Sequence, residues 1–170
     1  MKQVLLIDGS PIFKEFLSKK LTEESIKVEA SNGERDAFIK LVSLLPDLVI
    51  IDLLNFSGDL MEFLSKKQSN PNAKSIPIIL CGPKIDRSNL ASLIKYGVIK
   101  YFTTPIKFDI FFETIGRVLK ESFSFDTTPC VLDLHLNKSI VFIEVAEGLN
   151  REKISLLRFK IAELIDANNI

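Results

Sequence analysis

The sequence predicts a doubly wound α/β domain with a five-stranded, mostly parallel sheet, followed by a β-hairpin and one helix. Three observations predict it. Short, almost wholly apolar runs recur through the first 121 residues, stretches with helical apolar spacing separate them, and two of the runs end on an aspartate. Runs alternating with helices in this way are the mark of βαβ units.

Residues 4–7 form the first run, SIKVEAS around Ile26 and Val28 the second, 49–51 the third, 76–80 the fourth and 101–102 the fifth. Strands covered on both faces by crossover helices read as continuous apolar runs. The second run alternates instead, which places it at a sheet edge. A helix is predicted after Ser10-Pro11, with Ser10 as its N-cap and Ile12, Phe16, Leu17 and Leu21 as its apolar stripe. Ala37, Phe38, Leu41 and Leu45 make a second stripe, Leu60, Phe63 and Leu64 a third, and Leu90, Leu93 and Ile94 a fourth. The fifth is Ile110, Phe111, Ile115, Val118 and Leu119.

Residues 1–121 therefore read as the main domain, and the polar, Pro-ended stretch SFSFDTTP opens a linker over 122–130. In 131–170, residues 131–136 and 140–145 predict a hairpin turning at Asn137-Lys138-Ser139. Asn150 then caps a helix whose face carries Ile154, Leu157, Ile161, Leu164 and Ile165. A segment of about 40 residues buries too little apolar area to fold alone. It is expected to be part of an output domain or a dimerisation element.

Composition narrows the function. Hydrophobic residues at 46% and charged residues at 26% describe a globular chain. Lys+Arg and Asp+Glu number 22 each, so no net positive field draws nucleic acid or an anionic membrane. The first apolar run stops at Asp8, far short of the roughly 20 residues of a membrane span, and the expected setting is cytoplasmic. Cys81 and Cys130 lack metal-ligand spacing, and His135 is the only histidine. No GxGxxG, GxxxxGK[ST], GxSxG or HExxH string occurs, which disfavours an enzyme.

Functional groups in an open parallel sheet gather at the carboxyl ends of its strands. Asp8 and Asp52 close the first and third runs. With strand order 2-1-3-4-5 those runs are neighbours, and both carboxylates face one shallow pocket. Two such oxygens suit Mg²⁺; an aspartate at a strand end equally serves to cap the next helix or turn.

LLIDGSP, PDLVIIDLLNFSGD, IPIILCGP and YFTTP stand in this order at compatible separations. On these motifs, residues 1–121 resemble the receiver domain of two-component response regulators, a flavodoxin-like fold. The resemblance implies that Asp52 is the phospho-acceptor for a histidine kinase and Asp8 one of two paired metal acids. It also makes the Leu54 carbonyl a main-chain Mg²⁺ ligand and Tyr101 the aromatic residue of the switch.

Three positions depart from that family. Gly9 replaces the second acid, Gly82 a Ser or Thr hydroxyl, and Thr104 a Lys. Metal affinity is then weakened and two phosphoryl contacts are lost. A hydrogen bond to a charged group contributes roughly 1.5–3 kcal/mol, so the loss removes most of the few kcal/mol that a switch requires. Lys84 on the next loop is the substitute cation to test.

Two functional readings follow. One is a signalling module that binds proteins through its fourth and fifth helices and fifth strand, with aspartyl phosphorylation impaired or absent. The other is a working acceptor at Asp52 with Mg²⁺; an unrelated flavodoxin-like enzyme ranks third. Phe108 and Phe112 flank Phe111 and widen the apolar face of the fifth helix. They are expected to contact a partner, either a histidine kinase or other signalling protein, or a second copy of the chain.

Overall fold

The apolar runs pair as one parallel sheet in the computed structural model, which describes residues 1–121, 132–138, 140–145 and 151–168. The strands are β1 (Gln3–Ile7), β2 (Lys27–Ser31), β3 (Leu48–Asp52), β4 (Ile78–Gly82) and β5 (Val98–Thr103). They alternate with α1 (Pro11–Glu23), α2 (Gly33–Leu44), α3 (Leu60–Ser69), α4 (Arg87–Leu93) and α5 (Phe108–Leu119). The order β2-β1-β3-β4-β5 makes this a flavodoxin-like sheet. Every residue of β3 and β4 is buried, as expected of central strands. The alternating β2 lies at one edge, and Ser31 is its one buried residue. β4 begins two residues later than predicted. Pro77 has no N–H for the ladder, and Ile76 ahead of it packs into the core instead.

The helix stripes are corrected in places. Ser10 caps α1 as predicted, accepting from the Phe13 N–H at 3.2 Å. The buried face, however, is Phe13, Leu17, Lys20 and Leu21, while Ile12 is exposed. On α4 only Leu93 is buried, with Leu90 and Ile94 exposed, and on α5 Ile110 faces out. Phe108 and Phe112, expected to form an open contact surface, are buried. The Phe16 ring of α1 lies 5.0 Å from that of Phe108 and 5.8 Å from that of Phe112, in edge-on contacts. The wide aromatic face of α5 is thus used in packing against α1.

The chain divides into two compact units, Met1–Phe123 and Ser124–Ile170. In the second, β6 (Leu132–Asn137) and β7 (Ile140–Val145) pair antiparallel, with Lys138 at a positive φ in the turn. α6 (Arg151–Asn168) follows. The linker over 122–130 with Cys130, the turn residue Ser139, the side chain of His135 and the predicted cap Asn150 lie outside the described residues.

Candidate functional site

β1 and β3 are neighbours with Ile7 beside Ile51, so the next residues, Asp8 and Asp52, meet at the carboxyl end of the sheet. The sequence placed both there. Each carboxylate is engaged by the backbone around it. Asp8 Oδ1 accepts the Gly33 N–H at 2.6 Å and Oδ2 the Ser57 N–H at 2.9 Å. Gly33 starts α2 at a φ of +76°, a conformation that glycine adopts without strain. Asp8 thereby clasps the α2 start to the β3–α3 loop, and the Glu34 N–H adds a bond to the Ser57 carbonyl at 3.3 Å.

Asp52 Oδ1 accepts the Leu54 N–H at 3.1 Å, and Oδ2 the Asn55 side-chain amide at 3.0 Å. The residue is 7% exposed. That burial pushes its carboxyl above the usual range. Bonds from Asn55, Leu54 and the Ser10 backbone pull it down, and nearby Asp8 adds to the upward push. An acid with a raised folded pKa loses stability as pH climbs from its unfolded value through its folded one. Asp52→Asn is therefore expected to stabilise the domain at neutral pH by about 1 kcal/mol, a gain that fades below about pH 4. Urea melts at pH 7 and pH 3.5 would check it, and equal or lower stability of the variant at pH 7 would refute it.

The three departures each have a physical setting. A Cβ on Gly9 would stand 2.7 Å from Leu6 Cδ2, so a side chain there requires the buried Leu6 to shift. A Cβ on Gly82 would stand 2.9 Å from both Leu53 Cβ and the Tyr101 hydroxyl. That hydroxyl donates to the Pro83 carbonyl, so the phenol fills the room a residue-82 side chain would need. Burial raises the Tyr101 pKa. At Thr104 the backbone N–H and the hydroxyl both donate to the Gly82 carbonyl, at 2.8 and 3.3 Å. The hydroxyl is turned to the backbone. Lys84 is exposed and, among the described residues, joins no ion pair.

The donor set does not fit a divalent cation. All four oxygens of Asp8 and Asp52 already accept N–H groups of their own loops, and Gly9 adds no oxygen. Leu54 turns its N–H to Asp52, and its side chain is exposed. Among the described residues no group of three or more His, Cys, Asp or Glu side chains could hold a metal. Sequence reasoning missed Gly33, Ser57 and Asn55. The polar NFSGD segment after β3 and the Asn-Gly pair before α2 were the available signals.

Solved structures share the architecture. The chemotaxis response regulator CheY4 of Vibrio cholerae superposes with a TM-score of 0.61 at 21% identity, over 69% of this chain and 98% of that one. A receiver domain of a signal-transduction histidine kinase from Syntrophus aciditrophicus gives 0.59 at 25% identity, over 74% and 99%. In sequence, the response regulator ArlR of Staphylococcus aureus is 27% identical over 120 residues, 71% of this chain and 53% of ArlR. The chain carries a response-regulator receiver domain. No protein-family model matches it. The chain spans about half the length of the curated relatives it matches, and the match falls on the receiver portion. Among the described residues, no helix is long and apolar enough to cross a membrane.

Proposed function

We propose that this receiver works as a protein-interaction module in a signalling pathway, with phosphorylation of Asp52 impaired or absent. Its partner is a histidine kinase or another signalling protein, and the domain turns over no substrate. One observation carries the reading: the four carboxylate oxygens at the strand ends are occupied by N–H donors of their own loops. A nucleophilic carboxylate needs a cation to offset the charge of the incoming phosphoryl group. The donors here do not provide for one. The groups that would hold the phosphoryl oxygens are also missing. Gly82 has no hydroxyl, and the hydroxyl of Thr104 faces the Gly82 carbonyl.

Incubating the whole chain with acetyl phosphate and Mg²⁺, followed by intact-mass spectrometry, tests this. The expected spectrum shows no phosphoryl adduct under conditions that fully label an ordinary receiver. An adduct that Asp52→Ala abolishes would instead establish Asp52 as a working acceptor.

A further inference from the structure

Residues 84–107 hold five cations, Lys84, Arg87, Lys95, Lys100 and Lys107, against one acid, Asp86, in a chain whose totals are equal. All five cationic side chains are exposed. They sit on consecutive elements along the β5 edge of the sheet. Lys84 is in the loop entering α4, Arg87 opens α4, Lys95 is in the turn after it, Lys100 is on β5, and Lys107 precedes α5. Lys95 and Lys100 lie over the rings of Tyr96 and Phe102, at 5.0 and 5.9 Å. Among the described residues none of the five pairs with a carboxylate. Elsewhere Lys2, Lys27, Lys40, Lys66 and Arg117 do. The nearby acid Glu113 is taken by Arg117, at 2.7 Å. Among these cations stand exposed aliphatic side chains, Ile94 at 66%, Ile99 at 48% and Leu90 at 36%.

The geometry points to the α4–β5 face as the docking surface for an acidic, amphipathic segment of a partner protein, whose carboxylates meet the cations while its apolar side chains cover Ile94 and Ile99. The inference rests on the interaction-module reading and specifies the partner's chemistry. Charge complementarity selects the occupant. A two-fold interface sets a patch against itself. A second copy docked through this face would bring cations onto cations, which costs stability. A nucleic-acid backbone would satisfy the cations but leave the aliphatic side chains uncovered.

The test uses the whole isotope-labelled chain and a synthetic helical peptide of alternating Glu and Leu pairs, followed by NMR shifts, with and without acetyl phosphate and Mg²⁺. Saturable shifts confined to residues of α4 and β5 are expected in both conditions. Affinity should fall about tenfold or more in the double variant Lys95→Glu/Lys100→Glu, and fall likewise at high salt. A peptide with Lys in place of Glu should not bind. Binding that appears only with the phosphodonor would support the acidic-partner surface and overturn the phosphorylation-independent reading. No binding in either condition overturns the surface proposal alone. Equal or tighter binding to phosphatidylserine-rich vesicles or to a DNA duplex, or charge-reversed variants that bind as wild type does, also overturns it.

Discussion

Replacing Lys67 by alanine is expected to cost about 3 kcal/mol of stability, although lysine is ordinarily a surface residue. Lys67 is fully buried in the last part of α3. Its ammonium donates to the Lys74 carbonyl at 3.0 Å and to the Tyr96 carbonyl at 3.3 Å. It therefore joins α3 to the segment before β4 and to the turn before β5. Gly97, at a φ of +84°, leaves the space: a Cβ there would stand 3.0 Å from the ammonium nitrogen. Alanine removes the packed stem and strands two buried carbonyls. Methionine keeps the volume, so Lys67→Met should cost about 1 kcal/mol.

The pH dependence separates the charge from the packing. Burial alone lowers the Lys67 pKa from its ordinary 10.5. Between the lowered value and 10.5 the unfolded chain binds more protons than the folded one, so this residue's contribution to stability rises with pH in that window. The wild-type advantage over Lys67→Met should widen accordingly in urea melts. A Lys67→Ala loss under about 0.5 kcal/mol, or a wild-type-to-Met difference flat with pH, would show that the ammonium is solvated.

The fold was legible because central strands buried on both faces leave apolar runs, as β3 and β4 do. Strand order followed, and with it the meeting of Asp8 and Asp52. What stayed hidden depended on contacts between distant segments or on atypical burial. Isoleucine and phenylalanine at positions 12, 13, 16 and 17 allow two helix registers, and only packing chooses the one that buries Phe13. Phe108 and Phe112 looked like surplus aromatic surface because their cover, Phe16, comes from α1. Lys67 announces nothing, since residue type argues against its position. The glycine at 82 read as a missing hydroxyl, whereas the structure adds that the Tyr101 phenol occupies the room. The two donors to Asp8 are 25 and 49 residues away in sequence, beyond any local motif.

That last pair gives the other large effect: Asp8→Ala should lose about 3 kcal/mol, with no phosphorylation chemistry involved. The carboxylate is 8% exposed and accepts one backbone N–H on each oxygen. Hydrogen bonds to a charged group contribute roughly 1.5–3 kcal/mol each, and alanine leaves both amides without an acceptor. Asp8 also sits at a φ of +53°, which aspartate and asparagine tolerate better than alanine does. Asp8→Asn keeps that conformation and one acceptor while turning an amide N–H toward a donor, so it should lose about half as much. Hydrogen exchange should speed up at Gly33 and Ser57 in the alanine variant, ahead of the rest of the sheet. A stability loss under about 1 kcal/mol with unchanged exchange at both amides would sink the clasp. If the loss is found, the acid at position 8 is accounted for by the two loops it joins. Its presence beside Asp52 then carries no weight for phosphotransfer, and the case for an acceptor rests on Asp52 alone.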